Sequence, residues 1–195
     1  MPGPIDYAKM RDLWRRDLAA PVDVPNLIWM KDVGEYAKYA LAVYPILRAA
    51  GGRPLWMGSL AREYAGRKAP DAFMVVRYPN QRRFLAMIAN PYYRAVNRFR
   101  ERGVAYFEAS YCWSPEADAR LADHAWLLAL HFNAEDAAHA LADARAAVEK
   151  AGGAFAYSAS EQATCSFLRR FRPTDPNPLA HKHLALFAFE SRDAA

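Results

Sequence analysis

Cysteine is nearly absent: the 195-residue chain has only Cys112 and Cys165. That excludes a disulfide framework and a cysteine-rich metal site. Both cysteines fall in strand-like segments and read as inert core residues rather than nucleophiles. No run approaches the roughly 18 uncharged apolar residues that a membrane-spanning helix needs. The segment Met1 to Asp23 carries charge throughout and lacks the apolar core of a signal peptide, so a bacterial-type, cytoplasmic protein is expected. Catalytic signatures are missing as well. There is no Gly-rich phosphate loop, no His-x-x-x-His pair, no Gly-x-Ser-x-Gly elbow and no Cys-x-x-Cys. These absences predict no cofactor and no metal. His181 and His183 alternate at a strand start, but only Asp175 is near enough in sequence to act as a third ligand. His124, His131 and His139 offer no haem-ligand pattern, and His139 sits in an Ala-rich helix as a surface residue.

What is present is a globular composition: 53% hydrophobic, 24% charged and 13% aromatic. The formal net charge of +5 is uneven. Met1 to Trp113 holds 18 basic and 10 acidic residues, whereas Ser114 to Ala195 holds 8 and 11. Opposite signs suit halves that pack together, or on a second copy. Arg94, Arg98, Arg100 and Arg102, interleaved with Tyr92, Tyr93 and Phe99, superficially suggest a nucleic-acid surface. At helical spacing they spread around most of a helix end and no reader motif accompanies them. The reading is a solvated helix face, with no nucleic-acid partner and no membrane partner.

Hydrophobic periodicity predicts a leader helix over Ile5–Leu18, ended by Pro21 and Pro25. Asn26–Met30 reads as a strand, and a helix from about Glu35 to Ala50 follows, with Pro45 predicting a kink and Gly51-Gly52 a stop. Strands are predicted at Pro54–Leu60 and Ala72–Tyr78. A helix then spans Gln81 to Arg102, interrupted at Asn90-Pro91, before a strand over Ala105–Trp113. This strand-helix-strand-strand-helix-strand order is ferredoxin-like. The second half begins alike: a strand at Ala125–Phe132, Asn133 as N-cap, a helix to Lys150 and Gly152-Gly153. Arg48-Ala-Ala-Gly-Gly52 and Glu149-Lys-Ala-Gly-Gly153 are offset by about 101 residues, an internal repeat. A hairpin over Phe155–Phe171 broken near Ser160-Glu161, a Pro-rich stretch from Pro173 to Ala180 and a strand at His183–Phe189 complete the half, which lacks a full second helix.

The expected organisation is a leader (1–24), a first ferredoxin-like half (25–115) and a degenerate second half (120–195). The fold class is α+β: tandem ferredoxin-like repeats packed sheet against sheet as a pseudo-dimer. If one chain supplies both halves, the expected state is a monomer or a weak homodimer paired through the leader.

Gly51-Gly-Arg-Pro-Leu-Trp-Met-Gly58, Val75-Val-Arg-Tyr-Pro79 and Phe84-Leu-Ala-Met-Ile88 followed by Asn90-Pro-Tyr-Tyr93 stand in a known order and spacing. Over Asn26 to about Trp113 the chain resembles the domain-of-unknown-function 1330 family, in the dimeric α/β-barrel superfamily. The resemblance implies two sheets meeting as a barrel, which relatives build from two chains. It supplies no reaction.

Polar groups within apolar strands are the most informative for chemistry. Arg77 ends the Phe73-Val75-Arg77 face, Glu108 lies in Tyr106-Phe-Glu-Ala-Ser110, and His131 ends the Trp126–His131 strand. As catalytic candidates, Arg77, Glu108 and His131 would bind and deprotonate an acidic aromatic ligand, with Trp56, Tyr111 and Trp113 as the substrate-binding wall. The competing structural reading is a salt bridge between Arg77 and Glu108, with His131 at a strand end. Three functions follow: a cofactor-independent monooxygenase, isomerase or lyase acting on a small apolar or aromatic molecule; a non-catalytic small-molecule binding module; and a structural or interaction protein.

Overall fold

A computed structural model describes residues 7–64, 70–117, 121–164 and 182–191. The chain is a mixed α+β protein dividing into two compact units. The first holds the described residues up to Tyr111 together with 162–164. The second holds those from Cys112 to Glu161 and 182–191.

In the first unit, α1 (Tyr7–Arg15) precedes β1 (Val22–Met30), α2 (Val33–Ala49), β2 (Arg53–Ser59) and β3 (Ala72–Tyr78). Two helices, α3 (Gln81–Ala89) and α4 (Pro91–Gly103), lead into β4 (Val104–Ala117), whose residues from Cys112 onward belong to the second unit. The strand order here is β2-β3-β1-β4. The β1–β3 and β2–β3 pairs are antiparallel. β1 begins four residues before the expected Asn26 and runs through Pro25, which faces Val75 of β3. Proline's fixed φ is compatible with extended backbone, at the cost of one ladder donor.

The helix boundaries follow side-chain chemistry. Asp32 Oδ1 accepts the Glu35 backbone N–H at 2.9 Å and starts α2, which continues through Pro45. Asn90 Oδ1 accepts the Tyr92 N–H at 2.8 Å and, with Pro91 at the first helical position, separates α3 from α4 as expected. Gly51 takes φ +77°, and its counterpart Gly152 takes +86°, so both predicted glycine pairs end helices through a left-handed residue.

Helices and strands share one core: Met10 and Leu13 of α1, Val43 and Leu47 of α2, Phe84, Leu85 and Ile88 of α3, and Val22, Val24, Val76 and Tyr111 of the strands. The leader therefore packs on its own unit. Gln81 donates to the Arg16 carbonyl at 2.7 Å and Arg82 Nε to the Trp14 carbonyl at 3.1 Å.

The second unit contains β5 (Trp126–Phe132), α5 (Ala137–Lys150), β6 (Ala154–Thr164, its last three residues in the first unit) and β7 (His183–Phe189). Its order is β6-β7-β5, antiparallel throughout. Val148 of α5 packs on Ala185, Phe187 and Phe189, with Trp126, Leu128, Leu130 and Phe132 beside them. The cap of α5 is Asp136, whose Oδ1 accepts the His139 N–H at 3.0 Å, rather than Asn133. Asn133 Oδ1 instead accepts the Lys182 N–H at 2.7 Å, so a contact distant in sequence claims the residue expected to cap. Arg145 lies over the Phe155 ring at 3.8 Å and pairs with Glu116 at 2.7 Å.

β4 and β6 each have residues in both units. β6 also continues through the predicted break at Ser160-Glu161. Ile5, Cys165, residues 165–171 of the predicted hairpin, the Pro-rich stretch and His181 lie outside the described residues. Among the described residues, no helix is long and apolar enough to cross a membrane.

Candidate functional site

Strand pleat divides the first unit's sheet into two faces. Val22, Val24 and Ile28 of β1, Val76 and Tyr78 of β3, and Phe107 and Tyr111 of β4 join clusters with residues of the helices. The alternate residues face the other way: Asp23, Leu27 and Trp29; Phe73, Val75 and Arg77; Tyr106, Glu108 and Ser110. This second face is the candidate site.

It is aromatic. The Trp29 and Tyr106 rings lie 4.8 Å apart at 43°, and Trp56 lies 6.2 Å from Phe73. Gly58 makes the Trp56 position feasible, because a Cβ there would overlap the indole ring. The Trp-x-Gly element of β2 is thus a packing requirement. Trp29 is buried, while Tyr106 and Glu108 are half-buried. The Tyr106 hydroxyl donates to Glu108 Oε1, so the carboxylate is oriented by a phenol two residues away on the same face.

At the β1–β3 pair the face carries an ion pair. Arg77 is opposite Asp23 in the register, and its Nε and a terminal nitrogen donate to the two carboxylate oxygens at 2.7 and 2.8 Å. Asp23 is 0% exposed. Arg77 is therefore tied to Asp23, a partner that the structural reading did not name. Tyr111 also departs from its expected place: it is 0% exposed, on the helix side, with its ring 5.4 Å from Phe84. An odd separation along a strand puts it on the opposite face from Glu108. Trp56 and Glu108 thus lie in the first unit on the second face, Arg77 joins them as half of an ion pair, and Tyr111 does not. Trp113 and His131 belong to the second unit, where Trp113 is 41% exposed and His131 stands opposite Leu184. The sequence reading overlooks Trp29, Tyr106 and Asp23. Alternation in Val22-Asp-Val24 and Ile28-Trp-Met30 is the signal that would have pointed to two of them.

The helix side holds a second polar cluster. Arg94, Arg98 and Arg102 are exposed, but Arg100 is only 8% exposed and lies on the buried stripe of α4. The expected solvated arginine face therefore loses one member to the interior. Arg100 Nε donates to Asn97 Oδ1 at 2.8 Å, and the guanidinium lies 5.0 Å from the Phe107 ring centre and 6.0 Å from that of Tyr39. Burial pushes the Tyr36 hydroxyl up to about 12 and Tyr39 well above its ordinary value, with Arg100 pulling both the other way. Burial also opposes the Arg100 charge, but electrostatic interaction with Tyr93, Tyr39, Tyr36 and Glu101 works the other way, and the net shift is upward.

No group of three or more His, Cys, Asp or Glu side chains suited to a metal ion occurs among the described residues. His183 Nδ1 lies 3.0 Å from Ser160 Oγ across the β6–β7 pair.

Sheet, helices and aromatic face together define an α+β module of the first unit with one sheet face covered by helices. Residues 26–106 match the family described as Domain of unknown function (DUF1330). Among solved structures, it resembles the RPA0582 protein of unknown function from Rhodopseudomonas palustris. Identity is 22% and the TM-score 0.50, over 56% of this chain and 93% of that one. The methylated form of RPA0582 aligns at 23% identity and TM-score 0.49, over 57% and 94%. These likenesses speak for the fold alone. No curated protein matches the chain.

Proposed function

We propose that the second face of the first unit's sheet binds a small planar aromatic or apolar molecule, and that Glu108 accepts a proton from it without a cofactor. The carrying observation is the convergence of Trp29, Tyr106, Trp56 and Phe73 on the face that presents the Glu108 carboxylate. Rings supply stacking, and a carboxylate within hydrogen-bond reach supplies a base. The protein is then a cofactor-independent enzyme of isomerase, lyase or monooxygenase type, acting in the cytoplasm.

A non-catalytic binding module is the second reading. It is favoured by the engagement of Arg77 with Asp23 and by the assignment of His131 to the other unit, which leave Glu108 as the one expected proton acceptor in this cluster. The finer architecture we infer is a tandem of ferredoxin-like repeats, supported by the β2-β3-β1-β4 and β6-β7-β5 orders and the matched glycine stops. With Met10 and Leu13 buried in their own unit, we infer a monomer or a weak homodimer.

Titration of the full chain with naphthalene derivatives, read by tryptophan fluorescence, tests binding. Trp29→Leu should weaken saturable binding at least about fivefold, whereas Trp14→Leu, on the exposed side of α1, should not. A wild-type protein that binds none of the probes refutes the proposal. Solvent-deuterium exchange into enol acids then separates enzyme from binder: exchange lost in Glu108→Gln marks catalysis, and no exchange in the wild type marks a binding module.

A further inference from the structure

Tyr106 is itself a phenol resting against an indole with its hydroxyl on a carboxylate. Its ring centre is 4.8 Å from that of Trp29 and its O–H is directed to Glu108 Oε1. That is the arrangement a hydroxylated aromatic ligand would adopt on the same wall: ring on Trp29, acidic O–H on Glu108. We propose that Tyr106 is an internal competitor for this position, and that the ligands able to displace it are phenols and enols rather than unsubstituted arenes or ethers. The inference rests on the proposed binding face and adds the chemical class of its ligand.

The physical argument is one of exchange. Glu108 is half-buried and engaged by a neutral O–H donor. An arene that pushes the Tyr106 ring aside without offering a donor removes that hydrogen bond and replaces it with nothing, a loss that a hydrogen bond to a charged group makes substantial. A phenol or enol restores it. Because acidic ligand hydroxyls are stronger donors to a carboxylate than tyrosine's own, whose free value is near 10, the exchange favours the more acidic ligand. Where the proton transfers, the ligand O–H bond breaks and an O–H bond forms on Glu108, leaving a phenolate or enolate. The step needs no oxidant and no further reactant.

Tyr106 and Glu108 are readily varied, since the phenol ring can be kept while its hydroxyl is removed. Calorimetric titration of the full chain would compare 2-naphthol with 2-methoxynaphthalene, a ligand of nearly the same shape without the donor. Wild-type protein should prefer 2-naphthol by about tenfold or more, the equivalent of one charge-assisted hydrogen bond. Tyr106→Phe should bind both ligands more tightly, because the competing hydrogen bond to Glu108 is gone, while preserving the preference. Glu108→Gln should reduce the preference to within about twofold while still binding both. Thermal melting checks that each variant is folded, and the wild-type ratio stands even where a variant is not. Equal wild-type affinity for the two ligands overturns the inference while leaving the binding face intact. Failure to bind either ligand instead overturns the reading on which it rests. A weaker Tyr106→Phe would show that the hydroxyl helps to hold ligands rather than competing with them, and would overturn the competitor role.

Discussion

Replacing Arg77 by methionine should destabilise the first unit by about 3–5 kcal/mol, because it strands a buried carboxylate. Asp23 is 0% exposed and receives both guanidinium bonds at 2.7 and 2.8 Å, in register across β1 and β3. Methionine retains much of the aliphatic bulk but offers no donor, so the loss is that of both guanidinium bonds to a buried carboxylate rather than of a cavity. With a urea m-value of about 2 kcal/mol/M for a unit of this size, the loss corresponds to a midpoint shift of roughly 1.5–2.5 M. The paired change Asp23→Leu with Arg77→Met removes both charges. It should recover most of the loss, to within about 1–2 kcal/mol of wild type, since two apolar side chains can replace a buried ion pair at little cost. Urea titration of the full chain by tryptophan fluorescence measures all three variants, and the double-mutant cycle isolates the coupling. If Arg77→Met alone lies within about 1 kcal/mol of wild type, the pair is not holding the sheet and the argument fails.

Gly58→Ala should cost about 1–3 kcal/mol and change the near-ultraviolet circular dichroism, because its Cβ would force the Trp56 indole off the strand. Asp32→Ala should cost about 0.5–2 kcal/mol through loss of the α2 cap, and thermal unfolding should show it without a change in ligand binding. Alkaline stability follows from Tyr36 and Tyr39, both raised in the fold chiefly by burial. A raised folded value means that their contribution is fully present below about 10, the unfolded value, and falls as pH climbs toward and past about 12. Stability measured against pH should therefore decline above about pH 10, and Tyr36→Phe should flatten part of that decline. An unchanged profile in that variant would remove Tyr36 from the explanation.

Much of the fold can be read locally, and the site largely cannot. Ala72–Tyr78 declares itself by aromatic and β-branched residues, and Asn90-Pro91 marks a helix break because the asparagine caps and the proline starts the next turn. Both glycine pairs mark helix ends because the chain needs a positive φ there. Asp23, by contrast, lies between Pro21 and Pro25 with no local signal of its role, since its partner is 54 residues away. The pairing of Asp23 with Arg77 is a fact of strand register, which no local pattern contains. The opposed faces of Glu108 and Tyr111 are different: a period of two already separates them, and grouping them overlooks the pleat. Arg100 shows the limit of charge patterns. Helical spacing places it on the stripe with Tyr93 and Val96, but its burial depends on tyrosines from α2.

The two interior arginines bear directly on the class of ligand. Arg77 meets its charge with a fully buried carboxylate, and Arg100 meets its own with ring faces, tyrosine hydroxyls and Asn97 on the helix side. A carboxylate or phosphate ligand seeking a guanidinium on the aromatic face would have to displace Asp23, leaving that carboxylate buried, which is a several-kilocalorie penalty. A neutral planar ligand incurs no such cost. In the proposed binding mode it stacks on Trp29 and presents its proton to Glu108, whose Oε1 already accepts the Tyr106 hydroxyl. On the proposed reading, an anionic ligand is therefore disfavoured at the point of binding, and any anion formed there arises afterwards, by transfer of the ligand's proton.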